Sequence, residues 1–152
     1  MNINFLILCY YLSLDFSKIK EILTGEPKFR LSQVKQAVFG DLVLDWNLVS
    51  VLPKILKEKL EVNCSLKIKA EFLVSSDKKT VKALIEFSDG KFIETVLMKH
   101  EKGRNTVCIS SLVGCPMGCK FCATGAMGFV RKLSADEMIS QVLFFARLLK
   151  KD

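Results

Sequence analysis

Cys115, Cys119 and Cys122 stand at the spacing C-x₃-C-x₂-C, three thiols within eight residues, with Gly118 between the first two. Three thiolates leave one position of a metal site unfilled. Structural zinc takes four protein ligands, so this spacing suits zinc only if Cys108 or His100 completes the shell. A four-iron cluster held by three thiolates instead leaves one iron open to a small ligand. That iron can chelate the amino and carboxylate groups of S-adenosylmethionine, and one electron from the reduced cluster then cleaves the sulfonium bond. Unliganded thiols are the third reading. Phe121, just before the third cysteine, is expected to pack on such a cofactor and shield the cluster.

The other two of the six cysteines, Cys9 and Cys64, are scattered. Clustering of the remaining four favours a metal over a disulfide scaffold. Met1-Asn2-Ile3-Asn4 carries no positive charge, so no export signal is expected and the cytoplasm is the expected compartment. The apolar run from Phe5 to Leu14 meets Asp15 too early for a membrane span, which needs about 20 apolar residues. It reads as a buried opening segment or a false upstream start.

Half of the residues are hydrophobic and 26% charged, which excludes an intrinsically disordered chain. The net charge of +7 is uneven. Between Lys99 and Lys132 the basic residues are Lys99, Lys102, Arg104, Lys120, Arg131 and Lys132, against Glu101 alone. A local excess of this kind marks either a polyanionic partner or an ordinary solvated basic face. Lys120 and Arg131 are the candidate phosphate contacts.

The elements that must position these residues follow from periodicity. Ile19, Ile22 and Leu23 recur at helical spacing, Gly25 and Pro27 interrupt, and Val34, Ala37 and Val38 resume. Leu48 to Leu60 repeats the pattern with Leu52, Ile55, Leu56 and Leu60. Past Asn63, Leu66, Ile68, Ala70 and Phe72 alternate with polar residues, which predicts a half-buried strand. Strands over Thr80–Phe87 and Lys91–Lys99 flank the hairpin signal Asp89-Gly90. Thr106 to Leu112 reads as a short strand feeding the cysteine loop, and Ser134-Ala-Asp-Glu137 is a capping box opening a helix whose stripe is Met138, Val142, Phe145 and Leu149. Three segments are expected: a helical module over 1–63, an antiparallel segment over 64–104, and the start of an α/β unit over 105–152. One strand with one helix cannot close a barrel, so that last stripe is expected to lack a partner and to make the chain poorly soluble.

The run from Cys108 to Leu133, with its three clustered cysteines and the glycines Gly114, Gly118, Gly125 and Gly128, closely resembles the radical S-adenosylmethionine RNA methyltransferases of the RlmN and Cfr groups. Gly25-Glu-Pro-Lys-Phe-Arg30 with Gln33 is similar to the family's amino-terminal module, and Phe92-Ile-Glu-Thr-Val-Leu97 to the strand preceding its cluster. The resemblance implies an α/β architecture: the helical and antiparallel module, then the first strand–loop–helix of a truncated, TIM-like radical-SAM barrel. It implies a [4Fe-4S] cluster on Cys115, Cys119 and Cys122, with S-adenosyl-L-methionine as cosubstrate and Phe121 beside it. Glu94 matches the family's acid–base glutamate, and its apolar strand neighbours Phe92, Val96 and Met98 would favour a raised pKa. Cys108 matches the cysteine that resolves the protein–RNA adduct through a transient disulfide. The implied reaction is methyl transfer to adenine C2 of 23S ribosomal RNA, with transfer RNA a further substrate. Its rivals are C8 transfer of the Cfr type and a zinc-stabilised RNA-binding module without catalysis. A flavodoxin- or ferredoxin-like reductant is implied and no membrane. The methyl-carrying cysteine has no counterpart here, so a longer enzyme, or a second polypeptide completing the barrel, is expected.

Overall fold

The computed structural model describes residues 14–151 and the strand residues 6–8. The expected opening segment is therefore seen only as β1 (Leu6–Leu8) and Leu14; the rest of it, Cys9 included, lies outside the described residues. No helix of the described residues is long and apolar enough to cross a membrane.

The helical part begins with α1 (Phe16–Ile22), whose N-cap Asp15 accepts from the amides of Ser17 and Lys18. Next comes α2 (Phe29–Lys35), which widens into a π-turn over Gln36–Gly40. The motif residues around α2 hold one another: Arg30 Nη1 donates to Gln33 Oε1 at 2.8 Å and to the Val51 carbonyl at 2.9 Å. A 3₁₀ turn at Trp46–Leu48 precedes α3 (Lys54–Asn63). The helix expected from Leu48 thus starts six residues later, because Pro53 cannot donate within a helix and suits its N-terminal boundary. Leu52, Leu56 and Leu60 are buried as their spacing requires, whereas Ile55 is exposed.

Five strands form one antiparallel sheet in the order β1-β2-β3-β4-β5: β2 (Lys69–Val74), β3 (Thr80–Glu86), β4 (Phe92–Lys99) and β5 (Asn105–Cys108). The Asp89-Gly90 turn forms as expected, with Gly90 at φ +71° and its amide donating to the Phe87 carbonyl. Alternation then sorts the sheet into two faces. Ala70, Phe72, Val81, Ala83, Ile85, Ile93, Thr95 and Leu97 are buried. Leu84, Phe92, Glu94 and Lys82 face outward and are exposed.

The strand expected over Thr106–Leu112 is two strands. β5 stays in the large sheet as its edge, and β6 (Leu112–Gly114) pairs antiparallel with β7 (Phe129–Lys132). The order is strand, cysteine loop with the single turn α4 (Ala123–Ala126), strand, and then α5 (Ala135–Lys151). The expected passage from loop directly to helix is corrected accordingly.

The capping box forms reciprocally: the Glu137 amide donates to Ser134 Oγ at 3.2 Å and the Ser134 amide to Glu137 Oε2 at 2.7 Å. The α5 stripe differs from expectation. Ser140, Gln141, Leu143, Phe144, Phe145 and Arg147 are buried, and Phe144 meets Phe72 of β2 edge-on at 6.3 Å, so the helix has a partner in the sheet. Only Val142 of the expected stripe is exposed, beside Ile139. One apolar core runs through the helices, the inner face of the sheet and α5, with Trp46 fully buried and its Nε1 donating to the Cys64 carbonyl at 2.7 Å.

Candidate functional site

The cysteine loop is closed at its base by backbone alone. Gly114 has φ +72°, a Cβ there would collide with the Gly128 carbonyl oxygen, and that oxygen accepts from the Cys115 amide at 3.0 Å. Only glycine fits a left-handed position with a second backbone this close. Inside the loop Gly125 is buried, and a Cβ on it would come within 3.0 Å of the Cys119 amide nitrogen. The Cys122 amide donates to the Cys119 carbonyl at 3.0 Å, and Cys122 opens α4 as its N-cap. The sequence marks these glycines but not the contacts that demand them.

Cys115, Cys119 and Cys122 are free thiols, each half-buried. Among the described residues no three His, Cys, Asp or Glu side chains converge on a point that one ion could occupy. His100 lies at the far end of β4 with Nε2 3.0 Å from Thr106 Oγ1. Cluster thiolates bind different irons of one cube, so they need no such single point of convergence. The donor set, three free thiols on one glycine-pinned loop, fits three ligands of a cluster better than a mononuclear shell closed by His100. Around them Phe121 is 94% exposed, Met117 76% and Met127 73%, so the ring expected to shield the cluster lies open.

Glu94 and Cys108 share the outer face of the sheet. Val96, two residues beyond Glu94 on the same face, is the register partner of Cys108. The two residues are therefore diagonal neighbours, about 7–8 Å apart by sheet geometry. Cys108 is exposed, not the buried small residue that a free cysteine usually is. The surroundings of Glu94 also differ from expectation. Its side chain is 60% exposed and Oε1 pairs with Lys82 Nζ at 2.8 Å, because β3 supplies a lysine on the same face as its apolar neighbours. An apolar enclosure of the carboxylate does not form.

Residues missed in the sequence hold this region in place. Gln141, fully buried on α5, accepts from the Ser110 amide at 2.8 Å and donates to the Ser110 carbonyl at 2.9 Å. Buried Thr95 donates to the Cys108 carbonyl at 2.8 Å, and Ser110 Oγ donates to the Glu94 carbonyl at 2.6 Å. The available signal was a glutamine within an apolar helical run, since a buried amide must find partners.

Arg131, expected as a phosphate contact, is occupied. Its Nε donates to Asp89 at 2.7 Å, while Nη1 and Nη2 donate to the two oxygens of Glu137 at 2.9 and 2.7 Å. The guanidinium joins β7, the β3–β4 turn and the first turn of α5. Glu137 holds the Arg131 pKa above its ordinary value, and Asp89 adds to this. The Arg131 hydrogen bond in turn keeps Asp89 below the usual carboxyl range. Burial acts to raise Glu137, but Arg131 and the Ser134 amide outweigh it and hold that carboxyl low as well. Lys120 remains exposed.

No family model matches the chain. A probable dual-specificity RNA methyltransferase RlmN of Dictyoglomus thermophilum is 41% identical over 140 residues, covering 91% of this chain and 40% of the relative. One from Carboxydothermus hydrogenoformans is 48% identical over 122 residues, 78% of this chain and 35% of its own. A ribosomal RNA large subunit methyltransferase Cfr of Bacillus velezensis is 42% identical over 134 residues, 86% and 38% respectively. The crystal structure of a radical SAM methyltransferase from Sphaerobacter thermophilus superposes with a TM-score of 0.82 at 38% identity, covering 91% of this chain and 41% of that one. The α/β fold is thus that of part of a radical SAM methyltransferase. The chain spans about two fifths of the length of these relatives. Over that span its homologues are the RlmN and Cfr radical S-adenosylmethionine RNA methyltransferases.

Proposed function

We propose that this chain is the cluster-bearing amino-terminal portion of a radical S-adenosylmethionine methyltransferase acting on adenine C2 of 23S ribosomal RNA, with transfer RNA as a further substrate. The observation that carries the reading is the pairing of two features: three free thiols on a glycine-pinned loop, and Glu94 beside Cys108 on the open sheet face of the strands leading into it. Cys115, Cys119 and Cys122 would hold a [4Fe-4S] cluster, and Phe121 would cover the bound S-adenosylmethionine. When bound, the cluster supplies the electron that cleaves the sulfonium.

Glu94 would accept the proton released from the methylated base, with Lys82 fixing its carboxylate on the open face. Cys108, exposed at the strand end, would attack the sulfur of a cysteine outside this chain that is joined to the modified base, forming a transient disulfide as the carbon–sulfur bond of that adduct breaks and its electron pair passes to the base. In the same reading residues 1–63 are the helical module, 64–104 the antiparallel segment and 105–152 the opening of a radical-SAM barrel, completed by further chain or a second polypeptide. The reductant would be flavodoxin- or ferredoxin-like and the compartment the cytoplasm. Isolated, the chain binds its cluster without turning over.

Anaerobic reconstitution with iron and sulfide tests this, followed by EPR with and without S-adenosylmethionine. The expected result is about four irons per chain, a signal that changes on adding S-adenosylmethionine, and loss of iron in Cys115→Ala. Stoichiometric zinc with no retained iron would overturn it.

A further inference from the structure

The end of the sheet remote from Asp89 carries a separate charged surface. Two turns lie side by side there, residues 75–79 joining β2 to β3 and residues 100–104 joining β4 to β5. The Lys99 amide donates to the Lys79 carbonyl at 2.7 Å and ties one turn to the other. Lys78, Lys79, His100, Lys102 and Arg104 are all exposed at this end.

The two acidic groups of these turns have local partners, and the turns still carry four cations, Lys78, Lys79, Lys102 and Arg104, against two carboxylates. Asp77 accepts from Ser75 Oγ and from the Lys79 amide, and Glu101 pairs with Lys79 Nζ at 3.1 Å. Lys78, Lys102 and Arg104 are left with no ion pair among the described residues. His100, Glu101, Lys102 and Arg104 line an open depression of about 520 Å³.

Lys78 adds a second mark. Its φ of +57° lies in the left-handed region, where glycine or asparagine fits more readily. A lysine brings nothing to the turn itself, and its ammonium has no ion pair among the described residues. The chemistry of the patch also selects among partners. The large exposed apolar side chains include none from either turn. A protein interface needs buried apolar or aromatic anchors at its centre, whereas a phosphate backbone is held by cations alone. The patch lies along β4 from Glu94 and begins at His100, about 20 Å away at the strand rise over six residues. A nucleic acid whose target base sits at Glu94 would carry its flanking backbone within that reach.

We propose that the paired turns 75–79 and 100–104 form a phosphate-binding platform for the sugar–phosphate backbone of a structured RNA, with Lys78, Lys102 and Arg104 as its contacts. The inference rests on the reading of the chain as part of an RNA-modifying enzyme and adds to it a docking surface separate from the cysteine loop.

Fluorescence anisotropy with a labelled RNA stem-loop between about 50 and 200 mM KCl tests it. Lys78→Glu/Lys102→Glu/Arg104→Glu is compared with Lys20→Glu/Lys35→Glu/Lys59→Glu, which removes the same charge from exposed positions of the helical module. Unchanged circular dichroism establishes that both variants fold. The platform variant is expected to lose about tenfold or more in affinity and to flatten the plot of log K against log salt by about 2–3, near 0.7–0.9 for each phosphate contact. The comparison variant should lose far less. Equal losses in both variants, an unchanged salt slope, or equal affinity of the wild-type chain for poly-glutamate would overturn the platform. A wild-type chain that takes up iron but binds no RNA would overturn it while leaving the cluster reading intact. Platform-dependent RNA binding by a chain that retains no iron would support it while sinking the cluster.

Discussion

Replacing Arg131 separates a structural brace from a phosphate contact, because the two roles predict opposite readouts. Arg131→Met removes the fork to Glu137, the bond to Asp89 and the link between β7 and the first turn of α5. The Arg131 side chain is 31% exposed and that of Glu137 20%, so this bidentate pair is partly desolvated and is worth about 1.5–3 kcal/mol. Asp89 is 38% exposed, and its share is that of a surface pair, below about 1 kcal/mol. Together they put the loss near 2–3 kcal/mol, a fall in Tm of roughly 4–12 °C for a chain of this size. Arg131→Lys should recover little, since an ammonium cannot reproduce the fork. A double-mutant cycle with Glu137→Gln should return a coupling of about 1–2 kcal/mol. The pH dependence has a definite sign. Both carboxyls have folded pKa values below their unfolded ones, so the contribution is complete above about pH 5 and is lost as pH falls through the folded values. The gap between wild type and Arg131→Met should therefore close in acid. An unchanged Tm, combined with a salt slope for RNA binding reduced by about one contact, would refute the brace and restore Arg131 to the phosphate-binding role.

Gly114→Ala should cost at least about 2 kcal/mol and impair iron uptake, because the added methyl meets the Gly128 carbonyl at a left-handed position. Gly128→Ala, at φ +72° but in open space, should cost only about 1 kcal/mol, and equal urea midpoints for the two would contradict the close-approach argument. Burial above all, with the charge of Asp15, pushes the Cys64 thiol up to about 11. Brief iodoacetamide treatment at about pH 8 should accordingly modify Cys108 and the loop cysteines but spare Cys64 until the chain unfolds, a contrast that mass spectrometry would read. Arg147 is buried on α5 and donates from Nη1 to the Leu66 carbonyl at 2.9 Å, while its Nε and Nη2 have no partner among the described residues. Arg147→Met should leave stability unchanged or raised, whereas Arg147→Ala, which opens a cavity, should lower it by about 2–4 kcal/mol by denaturant titration. A large loss in Arg147→Met would show that the guanidinium is better satisfied than its contacts indicate.

What could be read along the chain was whatever depends on near neighbours in sequence. The C-x₃-C-x₂-C spacing, the Asp89-Gly90 turn, the Ser134–Glu137 capping box and the period-two alternation around β2 each involve groups a few residues apart. For these, backbone geometry leaves few alternatives, and the structure follows them closely. Boundaries were less legible where local signals competed. Apolar periodicity favoured helix from Leu48, and Pro53 moved the start to Lys54. Thr106 to Leu112 is one run by propensity, yet it divides because β5 finds its partner in β4 and β6 finds its partner in β7.

Pairings over long sequence separations belonged to the tertiary structure alone. No local rule sets Arg131 against Asp89, 42 positions away, or Gln141 against Ser110, 31 away, and no local rule gives α5 a sheet to cover. The exposure of Glu94 has the same origin: its strand neighbours predicted an apolar setting, but the register with β3 put Lys82 beside it. Sequence by itself determined which groups have the chemical character to form a site and the backbone turns that present them, because both are properties of side-chain type and short-range sterics. Only the fold decided which charges are free for a partner and which are already spent, because a charge is neutralised by whatever the packed chain brings within a few ångströms of it.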